Sequence, residues 1–145
     1  MSPVRFPVPC EVAYDYLVDP VNRPRWQSSL RAVAEVDGAA GALGQTWVDR
    51  TVLGVHARME LIGADRPHRW VERGRWRGIE GTLSLDFAPV GDGCEVQARM
   101  DVVGRGPARA LAFAARLAAP PAVRADLRRA ARLLNTPSRN RGTGE

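Results

Sequence analysis

The chain has 145 residues, 45% hydrophobic and 26% charged, the balance of one folded domain and not of a disordered chain. No apolar run approaches the roughly 18 residues of a membrane-spanning helix, and the opening Met1-Ser2-Pro3-Val4-Arg5 lacks the basic start and apolar core of a secretion signal, so a cytoplasmic location is expected. The net charge of +5 rests on arginine alone, which favours acidic partners only weakly at this size.

Residues 2–7 read as a short strand with Val4 and Phe6 on one face. Pro9 suits the first turn of a helix running to Val18, and Asp19-Pro20, an N-cap followed by a favoured first helical residue, starts a second short helix to Ser28. From Leu30 the period changes to two. Strands are expected over Leu30–Val36, Thr46–Leu53, Val55–Ile62, His68–Trp76, Ile79–Phe87 and Cys94–Val102, separated by glycine- and proline-rich turns. Ile79, Gly81, Leu83, Leu85 and Phe87 alternate with polar residues, as do Cys94, Val96, Ala98, Met100 and Val102, so these two strands have one dry and one wet face. Gly106-Pro107 opens a helical region. Pro120-Pro121 is expected to divide it into pieces of about 107–118 and 121–135, because proline lacks an N–H and disfavours helix at the residue before it. Val123, Leu127, Ala130, Ala131 and Leu134 share one helix face, with Arg124, Arg128 and Arg132 in a row outside it. The polar residues 136–145 read as a disordered tail, leaving one domain over 1–135.

These periods imply an α+β protein: a curved antiparallel sheet of about seven strands, two short helices after the first strand, and a long C-terminal helix across the sheet. The buried face of that helix is rich in alanine, so it leaves space against the sheet, and that space is where a ligand would sit.

Little else in the chain carries chemistry. His56 and His68 are the only histidines and no set of converging ligands accompanies them, so no metal is expected. No nucleophile elbow or phosphate-binding loop is present, and no cofactor is implied. Cys10 and Cys94 are far apart in sequence and are expected as buried free thiols ahead of a disulfide. Neither a helix-turn-helix nor basic residues interleaved with aromatics appear, so nucleic acid is not an expected partner. The arginine row at 124, 128 and 132 reads first as a solvated helix face, and second as a docking surface for an acidic protein or anionic membrane.

Arg50 is the polar residue of most interest. With a two-residue turn at Gly54, Arg50 pairs with Ala57 and Val48 with Met59, which points Arg50 inward to hold an acidic ligand group. A three-residue turn flips the strand and puts Trp47 and Asp49 inside instead; the sequence leaves both open. Trp47, Trp70 and Trp76 offer flat apolar walls, Met59 and Met100 adaptable ones. With Leu61, Leu83, Leu85 and Leu127 they complete the candidate ligand-binding set.

The order of elements, with four local patterns, resembles the START and Bet v 1-like (SRPBCC) helix-grip superfamily, often called the polyketide cyclase/dehydrase and lipid transport family. The patterns are Asp19-Pro20 followed by Trp26; Gly44 leading to Thr46-Trp47 and the Gly54 turn; Ala64-Asp65-Arg66-Pro67; and Phe87-Ala88-Pro89-Val90-Gly91-Asp92-Gly93, after which Cys94 stands where the family commonly has threonine. The resemblance spans residues 3–135. It implies a helix-grip fold holding a hydrophobic or amphipathic small molecule between sheet and helix, as carrier or sensor. The alternatives it leaves are an enzyme of polyketide cyclase or dehydratase type, and an interaction module, toxin–antitoxin-like, with a collapsed pocket.

Overall fold

The computed structural model describes residues 2–135; the expected disordered tail at 136–145 lies outside them. β1 (Val4–Phe6) is followed by two short helices, α1 (Cys10–Val18) and α2 (Arg23–Trp26). The second helix is shorter than the expected 20–28: Asp19 does not cap it, and its carboxylate instead accepts the Val21 N–H at 2.9 Å in a turn over residues 19–22, with Asn22 at the N-cap position. Six strands then run as a meander: β2 (Leu30–Asp37), β3 (Thr46–Thr51), β4 (His56–Asp65), β5 (Arg69–Trp76), β6 (Ile79–Val90) and β7 (Gly93–Gly104). All pairings are antiparallel, in the order β1-β7-β6-β5-β4-β3-β2. A 3-10 turn, Gly106–Ala108, leads into the long helix α3 (Arg109–Leu134). This is the helix-grip architecture that the sequence implies.

The alternation of apolar and polar residues fixes which face of the sheet is covered. Leu83, Leu85 and Phe87 of β6 are buried, as are Val96, Ala98 and Val102 of β7, while their neighbours stay more exposed. The C-terminal half of α3 packs on that face through Leu127, Ala130 and Ala131. Gly104, at the end of β7, lets the helix start close to the sheet. A Cβ there would lie 2.6 Å from the Ala108 carbonyl oxygen and 2.7 Å from the Ala112 Cβ, too close for any side chain.

Two further expectations change. α3 is one helix of 26 residues with Pro120 and Pro121 inside it, not two pieces divided there. The prolines remove the donors to the carbonyls of Arg116 and Leu117, one turn earlier. Both of those residues are exposed, so water can take the place of the lost donors.

The cysteines are joined. Cys10 and Cys94 form a disulfide, with Cα atoms 5.0 Å apart, where free thiols were expected. The reason lies in pairing that the sequence separation hides: Phe6 of β1 stands opposite Cys94 in β7, and the chain needs only four more residues to bring Cys10 back over it. That separation falls within bridging range.

Candidate functional site

Between the sheet and the middle of α3 lies a cavity of about 470 Å³, lined mainly by apolar side chains. It exists because the helix contributes small residues there. Ala115, Ala119 and Ala122, about one turn apart, face Gly81, Leu83 and Met100 of the sheet. Gly81 adds to the space: a Cβ at this position would meet nothing closer than 3.8 Å. Further along α3, Val123 and Leu127 close the cavity. Ser29 and Ala122 line it and are exposed, so here it meets solvent.

The β3–β4 turn decides which side chains face this space. Thr51 pairs with Val55, its N–H donating to the Val55 carbonyl at 2.9 Å, so the loop is Val52-Leu53-Gly54. Gly54 has φ +81°, the left-handed residue that closes a three-residue hairpin. Trp47 therefore stands opposite Met59, Asp49 opposite Ala57 and Arg50 opposite His56. Of the two registers left open by the sequence, the longer turn is present: Trp47 and Asp49 face inward. Arg50 is exposed on the outer face and does not reach the cavity.

Met59, Trp76, Leu83, Leu85, Met100 and Leu127 line the cavity. Trp47, Leu61 and Trp70 are buried but stand beside it, in the core. The Trp47 and Trp70 rings lie 6.4 Å apart, and Tyr14 meets Trp70 edge-on at 6.1 Å. These contacts make an aromatic wall behind the cavity, extended by Phe87, 5.1 Å from Tyr14.

A polar cluster joins that wall to the cavity. Arg23 of α2 is 3% exposed and donates from Nη2 to Glu72 Oε1 at 2.7 Å and from Nε to Gln27 Oε1 at 3.0 Å. Its guanidinium also lies 5.5 Å from the centre of the Trp47 ring, within cation–π range. Glu72 is equally buried, and its second oxygen accepts the Trp70 indole N–H at 2.8 Å. Asp49 accepts the Trp47 indole N–H at 3.0 Å. Gln27, Asp49 and Glu72 all border the cavity.

Glu72 is paired with the Arg23 guanidinium, and Asp49 feels it only at longer range. Burial, and then the neighbouring Glu72, push the Asp49 carboxyl up from 3.8 to about 6, against the opposing pull of Arg23 and the Trp47 hydrogen bond. Arg23 is held above its ordinary value: burial works against its charge, but the attraction of Glu72 and Asp49 and the Glu72 hydrogen bond outweigh it.

Sequence reading missed Arg23 and Glu72. Arg23 lies in a four-residue helix with no periodicity to reveal a face, although a charged residue next to Trp26 in a helical corner was a faint signal. Glu72 did carry a signal, since it shares the parity of Trp70 and Trp76 in β5 and faces the same side.

Elsewhere the surface offers hollows of a different kind. Grooves of about 550 and 580 Å³ on the outer face of the sheet lie among charged side chains, including Arg58 and Arg75, and are not covered by α3. On α3 itself Arg128 and Arg132 are exposed, and Arg124 Nε approaches the Ser2 carbonyl at 3.4 Å. No group of three or more metal-ligating side chains occurs among the described residues, and no helix among them is long and apolar enough to cross a membrane.

Comparison with known proteins agrees with this geometry. A family model described as polyketide cyclase / dehydrase and lipid transport matches residues 2–136. Among solved structures, Ara h 8.0201 superposes with a TM-score of 0.72 at 11% identity, over 91% of this chain and 93% of that one. Protein MLL2253 from Mesorhizobium loti gives 0.67 at 13% identity, over 92% and 98% of the two chains. DR_A0006 from Deinococcus radiodurans gives 0.60 at 24% identity, over 90% and 92%. At these identities the likeness is one of fold. None of the curated proteins matches the sequence significantly.

Proposed function

The chain belongs to the polyketide cyclase/dehydrase and lipid transport family, and on that premise we propose that it binds a hydrophobic or amphipathic small molecule, lipid-like or aromatic, as a carrier or sensor. The observation that carries this reading is the cavity of about 470 Å³ under the alanine face of α3. That volume lies within the range of roughly 300 to 1,000 Å³ usual for small-molecule sites. The ligand contacts proposed are Met59, Trp76, Leu83, Leu85, Met100 and Leu127, all of which border the space. A collapsed-pocket interaction module fits such a volume poorly. The arginine row of α3 then serves, in this proposal, as a secondary contact to an acidic partner.

Native mass spectrometry of the purified protein, followed by solvent extraction, tests the reading. A co-purified apolar molecule released on unfolding supports it. Protein that is mass-clean and takes up no apolar compound contradicts it.

A second reading, catalysis of cyclase or dehydratase type, draws on Asp49. A carboxyl raised to about 6 beside a cavity is poised as a general base near neutral pH. Turnover of a poly-β-carbonyl substrate that Asp49→Asn abolishes, with binding retained, would favour it. The compartment proposed with either role is the cytoplasm. Its reducing poise opposes the Cys10–Cys94 bridge, so thiol trapping in cells that finds the bridge intact would contradict that placement.

A further inference from the structure

The polar groups bordering the cavity differ in a consistent direction from those an acidic ligand would need. Asp49, Glu72 and Asp126 are among its lining residues; Glu72 has both oxygens engaged, by Arg23 and Trp70, while Asp49 and Asp126 each accept one hydrogen bond, from the Trp47 indole and the Ser28 N–H. The guanidinium of the cluster is already engaged: Arg23 is held by Glu72 and Gln27. That of Arg75 lies on the outer face of the sheet, where it donates to Glu80 at 2.8 Å. A carboxylate or sulfonate entering this space would meet negative charge, with Arg23 already committed. A ligand that donates hydrogen bonds meets acceptors.

One donor at the same wall is unused. Trp26 lines the cavity and is 2% exposed, and its indole Nε1 has no hydrogen-bond partner among the described residues. Two other inward-facing indoles are satisfied by the carboxylates beside them: Trp47 by Asp49 and Trp70 by Glu72. A buried N–H without an acceptor is destabilising, and an acceptor carried by a ligand removes that cost. Hydroxyl groups combine both properties, donating to a carboxylate and accepting from an indole.

We propose that the cavity selects a neutral, hydroxylated apolar molecule, an alcohol or phenol, over a carboxylate of the same shape. Its hydroxyls donate to Asp49 and accept from the Trp26 indole N–H. The proposal rests on the small-molecule reading above and assigns the polarity of the ligand to it. An ammonium group would satisfy the carboxylates but leave Trp26 without an acceptor.

Three probes sharing one ring system separate the two claims: naphthalene, 2-naphthol and 2-naphthoate, titrated into the full chain at pH 7.5 by calorimetry. The expected result is binding of 2-naphthol about tenfold tighter than 2-naphthoate and several-fold tighter than naphthalene. Trp26→Phe keeps a ring but removes the donor; it should reduce the advantage of 2-naphthol over naphthalene about threefold. Asp49→Asn should narrow the gap between 2-naphthol and 2-naphthoate, since the charge that repels the acid is gone. Naphthalene bound but 2-naphthoate equal to or tighter than 2-naphthol would overturn the assigned polarity and leave the cavity reading standing. Failure of all three to bind would overturn both.

Discussion

Replacing Asp49 by asparagine should stabilise the ligand-free protein at alkaline pH, by an amount the structure bounds. The carboxyl is lifted from 3.8 to about 6 by burial and by Glu72, so the folded state holds the proton more tightly than the unfolded chain does. Its contribution to stability is therefore fully present below about pH 4 and lost as the pH rises through about 6. The difference between the two values corresponds to roughly 3 kcal/mol. Asparagine retains an oxygen for the Trp47 indole N–H, and Arg23 retains Glu72, so no new unpaired charge is created. Allowing for the burial of an amide in place of a carboxylate, the expected gain at pH 8 is about 1 to 3 kcal/mol. For a chain of this length each kcal/mol is worth about 2 to 4 °C in Tm. The assay is thermal unfolding of parent and variant at pH 4 and pH 8. The exposed carboxyls of Asp15 and Glu80, lowered chiefly by their hydrogen bonds to Arg66 and Arg75, titrate in both proteins and cancel in the difference. A variant no more stable than the parent at pH 8, or a gain of the same size at pH 4, would refute the assignment of a strained, inward-facing Asp49.

Two further perturbations test the frame around the cavity. Arg23→Met should cost about 3 to 5 kcal/mol, because Glu72 would be left charged and 4% exposed without its partner; Arg23→Met with Glu72→Gln, which removes that charge and keeps an oxygen for the Trp70 indole, should recover most of the loss, and denaturant midpoints of the two variants decide it. Reducing the Cys10–Cys94 bridge, which spans 84 residues of sequence, should lower stability by about 2 to 4 kcal/mol; identical unfolding curves with and without reductant would contradict a role for the bridge in holding α1 to β7.

The parts of this molecule that were legible in its sequence are those repeated along the chain. Alternation in β6 and β7 reports a face many times over, so a single misleading residue does not alter it, and Leu127, Ala130 and Ala131 mark the buried side of α3 in the same way. Features decided by one residue were harder to read. Whether Arg50 or Asp49 points inward depends on one extra residue in the turn at Gly54, because a shift of one position exchanges the faces of a strand. Pro120-Pro121 carries a strong local preference against helix, yet the helix runs through it, with the preceding turn open to water and packing at Ala112 before the prolines and at Leu127, Ala130 and Ala131 after them. The Cys10–Cys94 bridge and the Arg23–Glu72 pair join residues far apart in sequence, and only the folded chain brings them together. The alanines that line the cavity, Ala115, Ala119 and Ala122, lie before those the sequence reading singled out, since Ala130 and Ala131 pack in the core. The polar cluster beside the cavity was not legible either, since it depends on Arg23 of the short helix α2, a buried arginine that no period announces.

Filling the cavity without disturbing the frame tests the central claim most directly. Gly81 faces into it from β6, where a Cβ would have no neighbour closer than 3.8 Å, and a strand glycine generally weakens the strand it occupies. Naphthalene binding to Gly81→Phe should therefore fall by at least about tenfold relative to the parent, while its Tm stays the same or rises. Undiminished binding in a stably folded Gly81→Phe would contradict a ligand site between the sheet and α3.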